Sequence, residues 1–318
     1  MIIPQTTERQ ALAQERVKLD YNVSIWKEVY GPYYKTILLF LTGKCNLRCP
    51  KCFNCGNMIS KNDMDLDFIK EIVNNNPLVD KYDIMGGEPM LHPQINKILH
   101  FLDASDKKIG LYTNGLLLKK VPSDIKNLKV NMAFHSITSD NPSEKPISNI
   151  INDINTISQQ YPLKIVYLLT QSNKKDLFTF VDYVEKNIPL LEKITIGQVR
   201  DELDYYNDNA SNVIPLKEYA EIISNFVHNY TGRLDVDIFS EGILETDAFP
   251  SSQPNQINRF RSVFPTKEYI DCLYEVALSK KKSFNVKEAL PFPSYSKCPI
   301  TERSRCITDK IKLKHIKS

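Results

Sequence analysis

The sequence predicts an α/β protein with a parallel sheet, because short apolar runs alternate with helical stretches about six times over roughly 165 residues. Alternation of this kind indicates βαβ units, whose strands run parallel. The six runs predicted as strands are KTILLFLT (35–42), KYDIM (81–85), KIGLYT (108–113), VNMAF (130–134), LKIVYLL (163–169) and KITIG (193–197). An open doubly wound sheet and a barrel both satisfy this pattern. In either architecture we expect the active site at the carboxyl ends of the strands.

Predicted helices follow several of these runs and carry apolar side chains at helical spacing. Asp65 and Asp176 are predicted N-caps, Pro77 ends the first helix, and Pro93 suits the first turn of the second. The apolar stripes are Leu66, Ile69, Ile72 and Val73; Ile95, Ile98, Leu99 and Leu102; Ile147, Ile150, Ile151, Ile154 and Ile157; and Leu177, Phe180, Val181 and Val184.

Beyond residue 200 the alternation becomes looser. A helix is predicted over 216–226, and the segment 234–239 alternates like a half-exposed strand. Segment 241–264 is rich in Pro, Ser, Asn and Gln, which predicts a long surface connection. An alternation of apolar residues in the final segment allows one further edge strand (Ile311, Leu313 and Ile316).

Composition excludes several classes of protein. The formal charge of +3 over 318 residues is nearly balanced and argues neither for nor against a nucleic-acid partner, so none is indicated. The sequence contains no run of about eighteen or more apolar residues, and its start lacks the pattern of a secretory signal. We therefore expect a cytoplasmic protein without a membrane-spanning segment.

The cysteines indicate metal or redox chemistry, because seven of them in a chain without an export signal do not suggest a disulfide framework. Cys45, Cys49 and Cys52 follow the first strand on one tight loop. Three clustered thiolates suit a four-iron cluster and leave one iron open to a small-molecule ligand. A zinc knuckle or buried free cysteines would satisfy the same spacing.

Three motifs follow the first three predicted strands, namely CNLRCPKC (45–52), MGGEP (85–89) and LYTNG (111–115). Together they resemble the CxxxCxxC signature, the GGEP motif and the third-strand ending of the radical S-adenosylmethionine (radical SAM) enzymes. Each motif follows a predicted strand in the family's order, and the resemblance covers about residues 35–200. It implies a partial (β/α)6 TIM-type barrel with a small C-terminal extension.

The resemblance also implies roles for individual residues. Cys45, Cys49 and Cys52 would ligate a [4Fe–4S] cluster whose fourth iron binds S-adenosylmethionine (SAM). The edge formed by Gly86, Gly87, Glu88 and Pro89 would meet the methionyl ammonium, since glycines permit close approach of a ligand. One electron from the cluster would generate a 5′-deoxyadenosyl radical. A flavodoxin- or ferredoxin-type protein would supply that electron.

Further cofactor and substrate contacts are implied less directly. Phe53 and Asn114 are candidate contacts to SAM, and AFHS (133–136) departs from the family's fourth-strand pattern. His135 or Ser136 could replace the usual ribose contact there. At later strand ends Gln171, Gln198 and Arg200 point toward the expected substrate position. The alternative for each of these residues is an ordinary core or surface side chain.

Cys272, Cys298 and Cys306 follow the predicted barrel like a shortened auxiliary-cluster extension of the twitch type. They predict a second iron–sulfur cluster, with an open iron or with Cys55 completing the ligand set. Unrelated buried cysteines remain the alternative.

The predicted organisation is an N-terminal extension (1–34), a radical SAM core (35–200), a barrel completion and connection (201–264) and a cysteine-containing extension (265–318). The predicted activity is hydrogen-atom abstraction from a peptide or a small metabolite. A non-catalytic metal-binding or regulatory protein on a similar barrel is the alternative.

Overall fold

The computed structural model of the chain describes residues 36–49, 62–77, 79–134, 136–137, 145–198, 213–239, 260–263, 269–270 and 310–312. The strands found there form one sheet in the order β10-β7-β6-β5-β4-β3-β2-β1-β8-β9. Their bounds are β1 Thr36–Phe40, β2 Lys81–Met85, β3 Lys108–Thr113, β4 Leu128–Ala133, β5 Leu163–Leu169, β6 Lys193–Gln198, β7 Asp235–Phe239, β8 Phe260–Val263, β9 Tyr269–Ile270 and β10 Lys310–Lys312.

The central strands are parallel and follow chain order. Each strand from β1 to β7 pairs in parallel with the next, and β8 pairs in parallel with β1. Only the two outermost strands of the described sheet, β9 and β10, are antiparallel to their neighbours. The carboxyl ends of β1 to β8 therefore meet at one edge of the sheet.

Helices connect most of these strands. Their bounds are α1 Leu66–Asn75, α2 Ile95–Ala104, α3 Ile147–Ser158, α4 Leu177–Asn187 and α5 Leu216–Asn229. Between β3 and β4 the described helical structure is a single 3₁₀ turn, Leu118–Lys120. The Asp65 carboxylate caps α1 by accepting from the N–H of Asp67 at 2.6 Å, as predicted. Asp176 is the N-cap residue of α4, as predicted, but its side chain makes no capping bond, because a 3₁₀ turn over Lys174–Asp176 runs directly into the helix.

The two faces of the sheet differ in chemistry. One face packs against the helices and is almost wholly apolar, for example at Ile109, Val130, Ile165 and Ile194. Because side chains alternate along a strand, the residues between them occupy the opposite face. We call this the inner face, and its buried polar side chains are Asp83, Asn131, Lys164, Thr195 and Asp237.

The predicted α/β fold class is confirmed. Parallel strands in chain order, with helices on one side, form the wall of a partial TIM-type barrel. The proposed extra edge strand also exists, since Ile311 in β10 pairs with Ile238 in β7.

The predicted surface connection is wrong at its end. Residues 260–263 form β8, which lies beside β1 in the sheet with Ser262 opposite Leu38. A strand of four residues is too short for the alternation of apolar and polar residues to identify it in the sequence.

Within the described residues, no helix has the length and apolar character needed to cross a membrane.

Candidate active site

Backbone hydrogen bonds hold the segment after β2 against the segment after β1. The N–H of Gly87 donates to the carbonyl of Thr42 at 2.7 Å, and the N–H of Glu88 donates to the carbonyl of Lys44 at 2.8 Å. Both bonds lie beyond the last residues of the two strands. The GGEP segment therefore runs beside the residues that lead directly to Cys45.

The two glycines of this segment make that contact possible. A Cβ on Gly86, whose φ is +151°, would lie 2.4 Å from the carbonyl oxygen of Thr42. A Cβ on Gly87 would lie 2.3 Å from the carbonyl oxygen of Lys44. Because the opposing atoms belong to the backbone, they cannot rotate away. The contact between the protein's own segments thus already requires both glycines, whereas the sequence suggested only that a ligand does.

Glu88 is completely buried, with 0% of its surface exposed. Its Oε1 accepts from the N–H of Met90 at 3.0 Å and from the hydroxyl of Thr113 at 2.9 Å, and its Oε2 accepts from the N–H of Asn114 at 2.8 Å. Burial raises the pKa of the Glu88 carboxyl, and these three hydrogen bonds act in the opposite direction. The carboxylate therefore joins the end of β2 to the end of β3, a role that the sequence did not predict.

The first two cysteines of the motif lie on the loop after β1. Cys45 is exposed, Cys49 is half-buried, and neither forms a disulfide. The Cys45 Sγ accepts from the N–H of Leu47 at 3.4 Å, and the Nδ2 of Asn114 lies 3.9 Å from the same sulfur. Burial raises the pKa of the Cys45 thiol, and the Leu47 and Asn114 donors oppose that effect.

This environment fits an iron–sulfur cluster. Thiolates are the ligands that such clusters prefer, and N–H donors directed at a ligating sulfur are a usual part of their surroundings. Among the described residues no group of three or more metal-ligating side chains occurs, and Cys52 lies outside those residues. The described part of the chain thus supplies two of the three expected ligands.

The two ends of the cysteine loop are held together at a neck formed by residues 41–44 and 62–64. Thr42 forms an isolated antiparallel bridge with Asp63, and the N–H of Met64 donates to the carbonyl of Leu41 at 2.7 Å. The Lys44 ammonium pairs with the Asp63 carboxylate at 2.7 Å. The neck fixes where the loop leaves and rejoins the barrel wall.

His92 supports this neck from below the surface. Its Nδ1 accepts from the N–H of Gln94 at 3.1 Å, so its Nε2 carries the proton of the neutral ring. That Nε2 lies 3.0 Å from the carbonyl of Met64 and donates to it. Burial lowers the pKa of the His92 imidazole, which favours this neutral form.

Comparison with known protein families identifies the superfamily. The model of the radical SAM superfamily matches residues 39–205, which is more than half of the chain. The chain belongs to the radical SAM superfamily. The match runs from β1 past the end of β6 and includes all three motifs. Members of this superfamily are enzymes that use a [4Fe–4S] cluster and SAM, so the predicted class of enzyme is confirmed.

Curated relatives in the superfamily include archaeal proteins. The chain is 29% identical over 222 residues to a "Probable GTP 3',8-cyclase" of Methanocaldococcus jannaschii, covering 64% of this chain and 74% of that protein. It is 28% identical over 202 residues to a protein of the same description from Methanococcus maripaludis, covering 59% of this chain and 67% of that one.

Solved radical SAM structures share the fold. The structure of Streptococcus suis SuiB bound to the precursor peptide SuiA superposes with a TM-score of 0.66 at 13% identity, covering 87% of this chain and 70% of that one. The structure of anSMEcpe with bound AdoMet and a peptide gives a TM-score of 0.56 at 16% identity, covering 80% of this chain and 78% of that one.

Several residues predicted for the radical SAM site lie outside the described residues. They are Cys52, Phe53, Cys55, His135, Arg200, Cys272, Cys298 and Cys306. Their roles stay predictions. The structure does bring Cys45, Gly86, Gly87, Glu88 and Asn114 together at the ends of β1, β2 and β3.

The remaining candidates follow later strands. Ser136 comes after β4 and is half-buried, and Gln198 is the last residue of β6. The amide of Gln171 is used within the protein, because its Nε2 donates to the carbonyl of Val213 at 3.2 Å and its Oε1 accepts from the Lys174 ammonium at 2.5 Å. Gln171 therefore ties the end of β5 to the start of α5 instead of extending toward a substrate.

Asn46, Asp63 and His92 support the site but were not predicted from the sequence. Asn46 accepts from the Nδ2 of Asn114 at 2.8 Å, while Asp63 and His92 hold the neck. Asn46 lies within the cysteine motif, so its position was a usable signal. Asp63 and His92 interact with residues far away in the chain, and no local pattern indicates such contacts.

Proposed function

We propose that Cys45, Cys49 and Cys52 hold a [4Fe–4S] cluster and that segment 86–89 binds SAM beside it. The observation that carries this proposal is the backbone contact between residues 42–44 and 87–88, at 2.7 and 2.8 Å. That contact fixes the GGEP segment next to the approach to the first cysteine. Gly86 and Gly87 are only half-buried, which leaves part of their backbone accessible to a ligand.

When bound, the cluster supplies the electron that converts SAM into methionine and a 5′-deoxyadenosyl radical, which abstracts a hydrogen atom from an organic substrate. The chain contributes position and shielding. The buried carboxylate of Glu88 fixes the end of β3 relative to the GGEP segment. The neck at residues 41–44 and 62–64 fixes the loop that carries the thiolates.

Phe53, His135 and Ser136 are proposed as further contacts to the SAM adenosine, and Gln198 and Arg200 as candidates on the substrate side. The position of Ser136 after β4 supports its role, because the ends of parallel strands line the mouth of the barrel. Gln198 is proposed only because it ends β6, since the alternation of side chains puts it on the same face as Ile194.

We further propose a small polar metabolite as the substrate in preference to a peptide. The buried groups of the inner face include an ammonium over an aromatic ring, since the Lys164 Nζ lies 6.0 Å from the centre of the Tyr112 ring. Polar groups of this kind suit a polar ligand better than an apolar one. The description of the archaeal relatives as GTP cyclases agrees with a small, polar substrate.

The proposed reductant is a flavodoxin- or ferredoxin-type protein, because the cluster requires a low-potential electron. Cys272, Cys298 and Cys306, with or without Cys55, are proposed to hold a second iron–sulfur cluster. Such a cluster would lie in the C-terminal extension and would add to the iron count.

The proposal is tested by anaerobic incubation of the reconstituted protein with SAM and dithionite. We expect 5′-deoxyadenosine from the wild type and none from Cys45→Ala. An iron-containing wild type that forms no 5′-deoxyadenosine would favour the non-catalytic alternative.

Substrate class is tested by the increase in 5′-deoxyadenosine when candidate substrates are added. GTP is the first probe, followed by a cell extract separated by filtration into small metabolites and polypeptides. We expect the metabolite fraction to increase the yield. An increase with the polypeptide fraction alone would contradict a small-molecule substrate.

A further inference from the structure

The side chain of Asn114 is held in one orientation at the end of β3. Its backbone N–H donates to the Oε2 of Glu88 at 2.8 Å, and its Oδ1 accepts from the N–H of Leu116 at 3.0 Å. With the oxygen fixed by Leu116, the Nδ2 of the planar amide must point the other way. That direction leads to the cysteine loop.

The Nδ2 of Asn114 meets two groups on that loop. It lies 2.8 Å from the Oδ1 of Asn46 and 3.9 Å from the Sγ of Cys45. A primary amide carries two N–H groups, so one can donate to Asn46 while the other points toward the sulfur. Hydrogen bonds to sulfur are longer than those to oxygen, and the N–H of Leu47 reaches the same Sγ at 3.4 Å.

These contacts complete a ring through three strand ends. The N–H of Glu88 donates to the carbonyl of Lys44, Glu88 accepts from Asn114, and Asn114 returns to Cys45, the residue after Lys44. Because Glu88 is fully buried, the ring has a rigid base. Asn114 therefore connects the end of β3 directly to Cys45, the first cysteine of the motif.

We propose that Asn114 is a positioning residue of the radical-generating centre, which fixes the Cys45–Asn46 turn and donates a hydrogen bond to the Cys45 thiolate. The inference rests on the proposed cluster at Cys45, Cys49 and Cys52. A hydrogen bond to a ligating sulfur stabilises the more negative, reduced cluster and so raises its reduction potential. The sequence suggested instead that Asn114 contacts SAM.

The midpoint potential of the reconstituted cluster, measured without SAM, separates these two roles. A residue that only contacts SAM would leave this potential unchanged. We expect a more negative potential in Asn114→Ala, which removes the donor without adding charge. The shift should be larger in Asn114→Asp, which keeps the acceptor for Leu116 but places a negative charge near the cluster.

Two further variants serve as comparison. Asn46→Ala removes only the acceptor, so we expect a smaller shift than in Asn114→Ala. Asn155 lies on α3, and its amide donates to the carbonyl of Asn187 at the end of α4. Asn155→Ala should therefore match the wild type.

Wild-type potentials in both Asn114 variants would overturn the inference. If Asn114→Ala fails to load iron, Asn46→Ala decides the question through the electron paramagnetic resonance spectrum of its reduced cluster. A changed spectrum supports the positioning role, and a wild-type spectrum overturns it. A wild type that holds no cluster dependent on Cys45 would refute the proposed function itself, which is a separate and recognisable result.

Discussion

At the scale of single residues, Glu88 shows how one buried carboxylate organises the site. Three donors from two different segments converge on its two oxygens, and no part of the residue is exposed. An unsatisfied buried donor costs about 1–3 kcal/mol, so the arrangement is stable only while the acceptor is present. Glu88 thus stabilises the GGEP segment whether or not SAM is bound.

Replacing Glu88 with Gln should destabilise the protein by about 1–3 kcal/mol, because an amide nitrogen then faces at least one donor that has lost its acceptor. The measurement is urea denaturation of the reconstituted protein. Glu221→Gln, at an exposed position on α5, is the matched control and should be neutral. Equal stability of the two variants would show that the carboxylate is not needed.

Gly87→Ala should reduce the iron content together with SAM cleavage, because the new Cβ would displace Lys44, the residue before Cys45. Iron and 5′-deoxyadenosine are measured on the same preparation. Gly232→Ala is the control for iron content, since its Cβ would also be crowded but by the side chains of Glu185 and Tyr230 and not by the cysteine loop. Full iron content with no cleavage in Gly87→Ala would mean instead that the glycine serves only the ligand.

At the scale of structural elements, the cysteine loop depends on its neck. The Lys44–Asp63 ion pair is partly exposed and contributes little by itself. The buried hydrogen bond from His92 to Met64 is shielded from water and holds the segment that pairs with Leu41 and Thr42, the two residues after β1. The neck should therefore respond to the protonation of His92.

The neck should weaken in acid. Burial lowers the pKa of His92 in the folded protein below its unfolded value of about 6.5. The stability from the neutral ring is therefore complete above about pH 6.5 and is lost as the pH falls through the lower folded value.

Denaturation between about pH 7 and 5 should show a shallower loss of stability in His92→Gln than in the wild type. His100→Gln is the control, because its hydrogen bonds to Asn96 and Asp124 raise the pKa of His100 and give the opposite sign. Parallel pH profiles for the wild type and His92→Gln would contradict this account.

The elements could be predicted where their signals are local. The α1 cap at Asp65 and the apolar stripes of α1 to α4 follow from spacing within a few turns. The strand β8 could not be predicted, because its place in the sheet depends on pairing with β1, more than two hundred residues earlier in the chain. Asp176 is the N-cap of α4 as its sequence predicts, but it also ends a 3₁₀ turn and its side chain makes no capping bond.

At the scale of the whole molecule, parallel strand order brings the three motifs to one edge, and this much of the site follows from the sequence. What the sequence could not provide is the set of contacts among the motifs. The Glu88–Thr113 and Asn114–Asn46 bonds join residues that lie 25 and 68 positions apart. Such pairs leave no periodic signal.

The inner face of the sheet carries buried charged and polar side chains, whereas the face that packs against the helices is apolar. Lys193 pairs with Asp235 at 3.0 Å and with Asp237 at 3.1 Å. Burial lowers the pKa of the Lys193 ammonium, but the two carboxylates outweigh that effect, so the pKa is raised overall. Charged and amide groups thus line the side of the sheet that faces away from the helices. Lys193 and Asp235 are the first residues of β6 and β7, so the proposal of a polar substrate rests on Lys164 and Tyr112 and not on this pair.

The most direct test of the account is an anaerobic iron and sulfide count on the wild type and on the triple variant Cys45→Ala, Cys49→Ala and Cys52→Ala. If Cys45, Cys49 and Cys52 hold the cluster, the variant loses about four irons and four sulfides per chain, from about eight if the late cysteines hold a second cluster. Unchanged iron in the triple variant, or zinc without sulfide in the wild type, would contradict it.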